Sequence, residues 1–225
     1  MSTYTIKDSA GREVFHFNSQ NAALYVGASG NEGDIIVRDS AGREVFHIDS
    51  QNAALYVGAS GNEGDIIVRD SAGKDRIHLN GNTGDIILTG ADCAEEFNMA
   101  QSYVIDPGTV LVIDEDNSLC PCEKPYDKKV AGVVSGASGY TPGIILDRKN
   151  EQINRLPIAL SGKTYCKADA SHTPIEVGDL LTTSATMGFA MKADDPTMAF
   201  GAVIGKALQP LKEGKGLIPI LVALQ

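Results

Sequence analysis

The chain has 225 residues, with 19 Lys and Arg against 29 Asp and Glu, a net charge of −10. No stretch is basic, which excludes nucleic acid as an expected partner, because binding a phosphate backbone needs clustered cations; polyanionic surfaces are disfavoured for the same reason. Tryptophan is absent, aromatic residues make up 6% and 24 residues are glycine, a composition suited to short strands joined by tight turns.

The sequence begins with no basic–apolar–small leader and contains no apolar run long enough to span a bilayer. The expectation is synthesis in the cytosol without a signal peptide and without membrane insertion, any outside destination being reached by another route such as cell lysis.

Residues 8–38 recur at 39–69 with two differences, Phe17 against Ile48 and Asn18 against Asp49. A shorter third copy occupies 70–90 and omits the eleven residues that correspond to SQNAALYVGAS. A 31-residue period signals stacked units that cannot bury an apolar face alone. Each unit divides into segments of strand length ending in turn residues: GDIIVRDSAG (33–42), REVFHIDSQN (43–52) and AALYVGASGNE (53–63). Alternation places Ile35 with Val37, Phe46 with Ile48, and Leu55 with Val57, on a face expected to point inward; Ile36, His47 and Tyr56 take the other.

A single-chain solenoid would lose a wall through the deletion in the third copy and would expose both ends of its stack. Residues 1–90 are therefore expected to form a repetitive shaft in which three chains share one axis, a trimeric β-prism or triple β-helix, with the monomeric solenoid as the rival. Threefold closure frees each chain from owning a core. His16, His47 and His78 recur at one place in the copies; they either gather on the axis as metal ligands or, as the alternation with Phe15, Phe46 and Ile77 favours, lie on the outer face. The GNEGD and GNTGD turns (61–65, 81–85) lack the nine-residue spacing of calcium repeats and read as plain turns.

From Ala91 onwards the pattern changes. ADCAEEFNMAQS (91–102) is expected to form a short helix. Strands are expected at 108–114, 129–135, 143–148, 156–168, 178–183, 188–193, 201–209 and 216–224, separated by turns such as DEDNS and KEGKG. The last strand, almost uninterrupted by polar residues, is expected to bury the end of the sequence. Residues 91–225 thus read as a compact β-barrel or β-clip-like domain, and the whole chain as all-β.

GADCAEEF (90–97) resembles the G-A-D-x-A-E-x-F junction that opens the C-terminal domains of phage tail-fibre and appendage proteins. VGDLLTTSATMGFAMKA (177–193) and GAVIGKALQPLKEGKGLIPILVALQ (201–225) resemble the ends of proteins with the same layout. The nearest family is the autoproteolytic intramolecular-chaperone domain found at the ends of phage β-helical appendages. The resemblance implies a homotrimer, a domain that nucleates and registers a fibre, and a place in a virion or phage-like particle. Other tail or baseplate proteins and a host-surface receptor are its implied partners. It also implies self-cleavage as the candidate activity, with the acidic junction residues falling on Asp92 and Glu95. On a helix those two would share a face and act as general acid and base; acidic residues at a helix start are equally explained by the backbone dipole. The sequence departs from the family's D-Y-A-E-Y-F form at Cys93 and Glu96.

The remaining constellations are weak, and neither cofactor nor metal is expected. Cys120, Cys122, Cys166 and His172 lack the spacing of a zinc site, and nothing in view activates Cys166 as a nucleophile. Cys93 and the other thiols are expected to be free. Thr182, Thr183, Ser184 and Thr186 read as loop polar residues. Tyr140, Tyr165 and Phe189 would suit a sugar-stacking tip if exposed and core packing if buried.

Overall fold

The computed structural model describes residues 4–18, 23–26, 33–58, 61, 63–100, 103–149 and 154–224. The chain is all-β, with 49% strand and 2% helix. It divides into two units, Met1–Leu88 and Thr89–Gln225.

The first unit contains three antiparallel three-stranded meanders. They are β1 (Tyr4–Lys7), β2 (Glu13–Asn18) and β3 (Ala23–Val26); β4 (Ile35–Arg38), β5 (Glu44–Asp49) and β6 (Ala54–Val57); and β7 (Ile66–Arg69), β8 (Asp75–Leu79) and β9 (Ile86–Leu88). Their first hairpins are closed by the recurring DSAG turn. The Asp39 carboxylate accepts hydrogen bonds from the amides of Ala41 (2.8 Å) and Arg43 (3.0 Å) and from Arg43 Nε (2.7 Å). Gly42 completes the turn at φ +81°, a left-handed conformation that costs glycine nothing. Asp8 and Asp70 repeat the arrangement. In the third copy Lys74 stands where the others have arginine, and Arg76 Nε reaches Asp70 instead at 2.8 Å.

The deletion in the third copy is absorbed by substitution. GDIIL, which matches the GDIIVR that opens the second and third meanders, becomes the closing strand β9 and pairs Ile77 with Leu88 and Leu79 with Ile86. In the second meander the same places are held by Phe46 with Val57 and Ile48 with Leu55. Both carry aliphatic residues at alternate positions, so the sheet keeps three strands although the copy is eleven residues shorter.

The second unit comprises β10 (Asp92–Asn98), β11 (Val110–Ile113), β12 (Leu119–Pro121), β13 (Val130–Val134), β14 (Pro142–Leu146), β15 (Arg155–Asp169), β16 (Leu180–Thr183), β17 (Ala190–Lys192), β18 (Val203–Ala207) and β19 (Lys215–Ala223). The four-residue α1 (Pro196–Ala199) is N-capped by Asp195. The order β15–β17–β16–β18–β19 closes on itself through β15–β19, making a five-stranded barrel. The first half of β15 pairs with β10 and β13 in an attached sheet, and its second half enters the barrel. One core includes Val110, Val133, Cys166, Ile175, Leu181, Ile204 and Ile220; a second joins Met99, Leu111, Leu119, Val134 and Ile158.

Three expectations are corrected. The helix over 91–102 is the strand β10 over its described part (residues 101 and 102 lie outside the described residues), because hydrogen-bonding neighbours on both edges, β14 parallel and β15 antiparallel, override the helical preference of its Ala and Glu residues. Thr182 and Thr183 are buried strand residues: Thr182 Oγ1 donates to the Ala202 carbonyl at 2.7 Å, and Thr183 Oγ1 accepts from the Asp127 amide at 2.7 Å. The end of β19 is not buried throughout: Val222 turns inward, while Ala223 and Leu224 are exposed.

Two outcomes follow from this architecture. Gly162 lies in mid-β15 at φ +101°, and a Cβ there would stand 2.7 Å from the Ala91 carbonyl oxygen. Gly162→Ala is therefore expected to destabilise the second unit by about 2 kcal/mol or more, read as a lowered Tm. Acid is expected to loosen the first unit. The Arg43 guanidinium and amide hold the Asp39 carboxyl down at about 2, and backbone amides lower Asp34, Asp65 and Asp70. The stability these groups contribute is present above their ordinary value of 3.8 and is lost as the pH falls towards about 2; circular dichroism across that range checks it.

Candidate functional site

The junction that opens the second unit is built around a buried carboxylate. Asp92 begins β10, opposite Gly162 on β15 and Pro142 on β14. Backbones crowd this point: the Ala91 amide donates to the Thr141 carbonyl (2.8 Å) and the Ala91 carbonyl accepts from the Lys163 amide (2.9 Å). A Cβ on Gly90 would lie 2.1 Å from the Gly143 backbone, so the glycine of the GAD string is there for close approach. Asp92 is 5% exposed, and its Oδ2 accepts from Ser135 Oγ at 2.7 Å. Its Oδ1 is buried without a partner among the described residues. Burial raises the Asp92 carboxyl above its ordinary value, and the Ser135 hydrogen bond only partly opposes this. A carboxyl biased by burial towards its protonated form, beside a hydroxyl, is a candidate general acid.

Glu95 does not join it. On an extended strand, residues three apart point to opposite faces, so Asp92 and Glu95 are not a pair within this chain. The helical geometry that would have brought them together is absent. Glu96 lies instead towards arginines: Arg155 Nε is 3.8 Å and Arg148 Nε 3.6 Å from its carboxylate. Arg155 also donates to Asn98 Oδ1 (2.9 Å) and Asp147 Oδ2 (2.6 Å), clamping the end of β10 to the loop after β14.

A second candidate surface lies on the meanders. Their register sets Ile35, Val37, Phe46, Ile48, Leu55 and Val57 on one face of the second sheet. Ile66, Val68, Ile77, Leu79, Ile86 and Leu88 occupy one face of the third. Among the described residues none covers these faces fully: Val37 is 50% exposed, Leu55 53%, Val68 49% and Ile86 70%. Glycines draw the two sheets together at this surface, since a Cβ on Gly64 would meet the Val57 carbonyl and one on Gly81 would meet Gly64.

The opposite face of each sheet is mixed: Ile36, His47 and Tyr56 share it in the second sheet and Ile67, His78 and Ile87 in the third, and the ion pairs lie among them. Arg38 pairs with Glu44, and His47 Nε2 lies 3.2 Å from Asp34. His78 Nε2 lies 2.9 Å from Asp65. The repeated histidines are thus clasped by the aspartates of the GD turns, on the face away from the apolar rows. The His16 side chain lies outside the described residues. Asp34 also accepts from the Ser50 amide (2.9 Å) and hydroxyl (3.0 Å), and Asp65 from the Gly81 amide (3.0 Å). By sequence Asp65 reads as a turn residue of GNEGD, and the clasp is a finding of the structure. The constant 13-residue offset of these aspartates from the histidines was the signal that pairs them.

The cysteines are free. The Cys122 thiol donates to the Phe189 carbonyl at 3.3 Å, and burial pushes it up to about 11; burial raises Cys166 as well. Both are poor nucleophiles at neutral pH. Tyr140 and Tyr165 do meet, with ring centroids 5.0 Å apart, and both are half-buried, as is Phe189.

No family model matches the sequence, and no curated protein matches it. Among solved structures, the chain is similar to bacteriophage phi29 gene product 12. For the pre-mature form the TM-score is 0.43 at 16% identity, over 67% of this chain and 25% of that one. For the C-terminal fragment the TM-score is 0.40 at 16% identity, over 59% of this chain and 100% of the fragment. The chain thus spans a quarter of the length of the pre-mature protein. Likeness at this level leaves function to be argued from the residues. Among the described residues no helix is long and apolar enough to cross a membrane.

The raised Asp92 carboxyl has a measurable consequence. A folded-state value above the unfolded one contributes stability at low pH that is lost as the pH rises through the folded value. Asp92→Asn is therefore expected to raise Tm at pH 7 and to leave it nearly unchanged at pH 3. Equal shifts at both pH values would contradict a buried ionising group.

Proposed function

We propose that this chain is a homotrimeric structural protein of a phage tail or phage-derived particle. The meander unit is its shaft, and the second unit is the domain that brings three chains together and sets their register. The observation that carries this reading is the pair of apolar faces on the second and third meanders. Covering their half-exposed side chains is worth about 1 kcal/mol each, on the order of 10 kcal/mol per chain, comparable with the roughly 4–15 kcal/mol that association costs. Three walls, one from each chain, close a prism with every such face inward and every His–Asp clasp outward. The phage setting rests on the resemblance of GADCAEEF and of the C-terminal segments.

Register is the reason for a second unit. Repeats that differ at two positions pair almost equally well when shifted by one whole repeat, and local sequence does not forbid the slip. A non-repetitive domain at one end aligns the chains before the shaft zips. Residues 1–90 without it are expected to aggregate or remain unfolded.

Light scattering is expected to give three times the 23.7 kDa chain mass. Twice that mass would replace the prism by a two-sheet sandwich, and a stable monomer would overturn the reading. Val68→Lys, at the centre of the third apolar face, is expected to abolish the trimer or sharply lower its Tm.

A second reading is favoured by one observation. The buried Asp92–Ser135 pair sits at the junction where the family resemblance implies self-cleavage, and a carboxyl that burial biases towards its protonated form suits a general acid acting on the neighbouring backbone. Intact-mass analysis after prolonged incubation tests it. Cleavage near residue 90 that Asp92→Asn abolishes supports autoprocessing; an unchanged full-length mass rejects it.

A further inference from the structure

The outer side of the barrel carries a face with no role in the account so far. Register across β15, β19, β18 and β16 places Lys163, Leu221, Lys206 and Leu180 in one row. Adjacent rows set Tyr165 beside Pro219 and Lys167 beside Leu217. Leu180, Leu217 and Leu221 are 38%, 41% and 42% exposed, and Leu208, whose amide donates to the Pro219 carbonyl, is exposed too. A barrel wall that faced only water would not gather four exposed leucines on one side.

The charges on this wall are distinctive. Neighbouring strands lie about 4.8 Å apart, so Lys163 and Lys206 stand roughly 10 Å apart across Leu221. Lys167 and Lys215 pair with Asp106 (3.5 Å) and Asp169 (3.9 Å). Lys163 and Lys206 have no carboxylate partner among the described residues; the Lys163 ammonium instead lies 5.8 Å from the Tyr140 ring centroid. In a chain of net charge −10, two exposed lysines without acidic partners on an apolar wall are an unmet half of a contact.

We propose that this face docks a second copy of the chain, in a head-to-tail contact between unlike surfaces. The face cannot pair with itself across a twofold axis without setting the Lys163 and Lys206 rows of the two copies against each other. Its complement is the surface around the β11–β12 hairpin. There Ile113 and Tyr103 are 44% and 37% exposed beside a cavity of about 160 Å³. On its wall the carboxylates Asp114, Glu123 and Asp127 outnumber Lys124 and Lys129, and the hairpin turn adds Glu115 and Asp116. One surface has an apolar centre with a cationic row, and the other an apolar centre with an acidic rim. Contacts between unlike surfaces generate rings when the rotation closes. The inference rests on the trimer reading and assigns it a pair of surfaces.

The test uses the full-length chain as a mixture of unlabelled and nitrogen-15-labelled copies, treated with a water-soluble carbodiimide that joins touching amines and carboxylates. Mixed-isotope cross-links from Lys163 or Lys206 to the 114–123 segment are expected. Lys163→Glu with Lys206→Glu is expected to abolish them and lower Tm, and adding Glu115→Lys with Asp116→Lys to restore Tm. A chain of trimeric mass that shows no inter-copy cross-link at either lysine, and whose Lys163→Glu, Lys206→Glu variant melts unchanged, would overturn this contact while leaving the trimer intact. A monomeric mass for the unaltered chain would overturn the trimer itself.

Discussion

Water against aliphatic side chains is the constraint on which the first unit depends. The second and third meanders have hydrogen bonds within the sheet and ion pairs on one face, but among the described residues no layer against the other. Main-chain pairing alone does not stabilise a three-stranded sheet with a bare apolar side in water. The opposite side is mixed, with Ile36, Tyr56, Ile67 and Ile87 on it, but it also carries the charges: Asp34 and Asp65 clasp His47 and His78, and Arg38 pairs with Glu44, so it is the side better suited to water. Inversion of the sheet would bury those groups.

The second unit meets the opposite condition. Its core is closed within one chain, and the fifteen-residue strand β15 links its two parts. One half of β15 supports β10 and β13; the other is a barrel stave against β19. Asp92 lies where β15 passes from one role to the other, opposite Gly162, the residue whose left-handed backbone lets the strand turn. The junction's glycine, its buried acid and the bend of β15 are therefore one packing arrangement. The contacts that begin the domain also hold the Asp92 carboxyl in place.

Much of this was legible from alternation and turn residues. The three segments of each repeat, and the eight strands expected between residues 108 and 224, all appear, because their apolar residues alternate and their ends carry Gly, Asp, Asn or Ser. What escaped the sequence depends on distant partners. The 91–102 segment has the local composition of a helix start, and only pairing with β14 and β15 makes it a strand. β12 is three residues long and includes Pro121, too short to show a period. The Asp92–Ser135 hydrogen bond joins residues 43 positions apart and has no local mark at all. The substitution of GDIIL for a missing third strand in the last repeat follows from register, which composition does not reveal.

The central claim is that the first unit's apolar faces are covered only when chains associate. The most direct measurement is Tm as a function of chain concentration, followed by a signal from Tyr25 or Tyr56 in the repeats. Because association and folding of the shaft are then one equilibrium, Tm should rise steadily with concentration. A reversible transition whose midpoint is the same over a hundredfold range, in a particle of single-chain mass, would contradict the account.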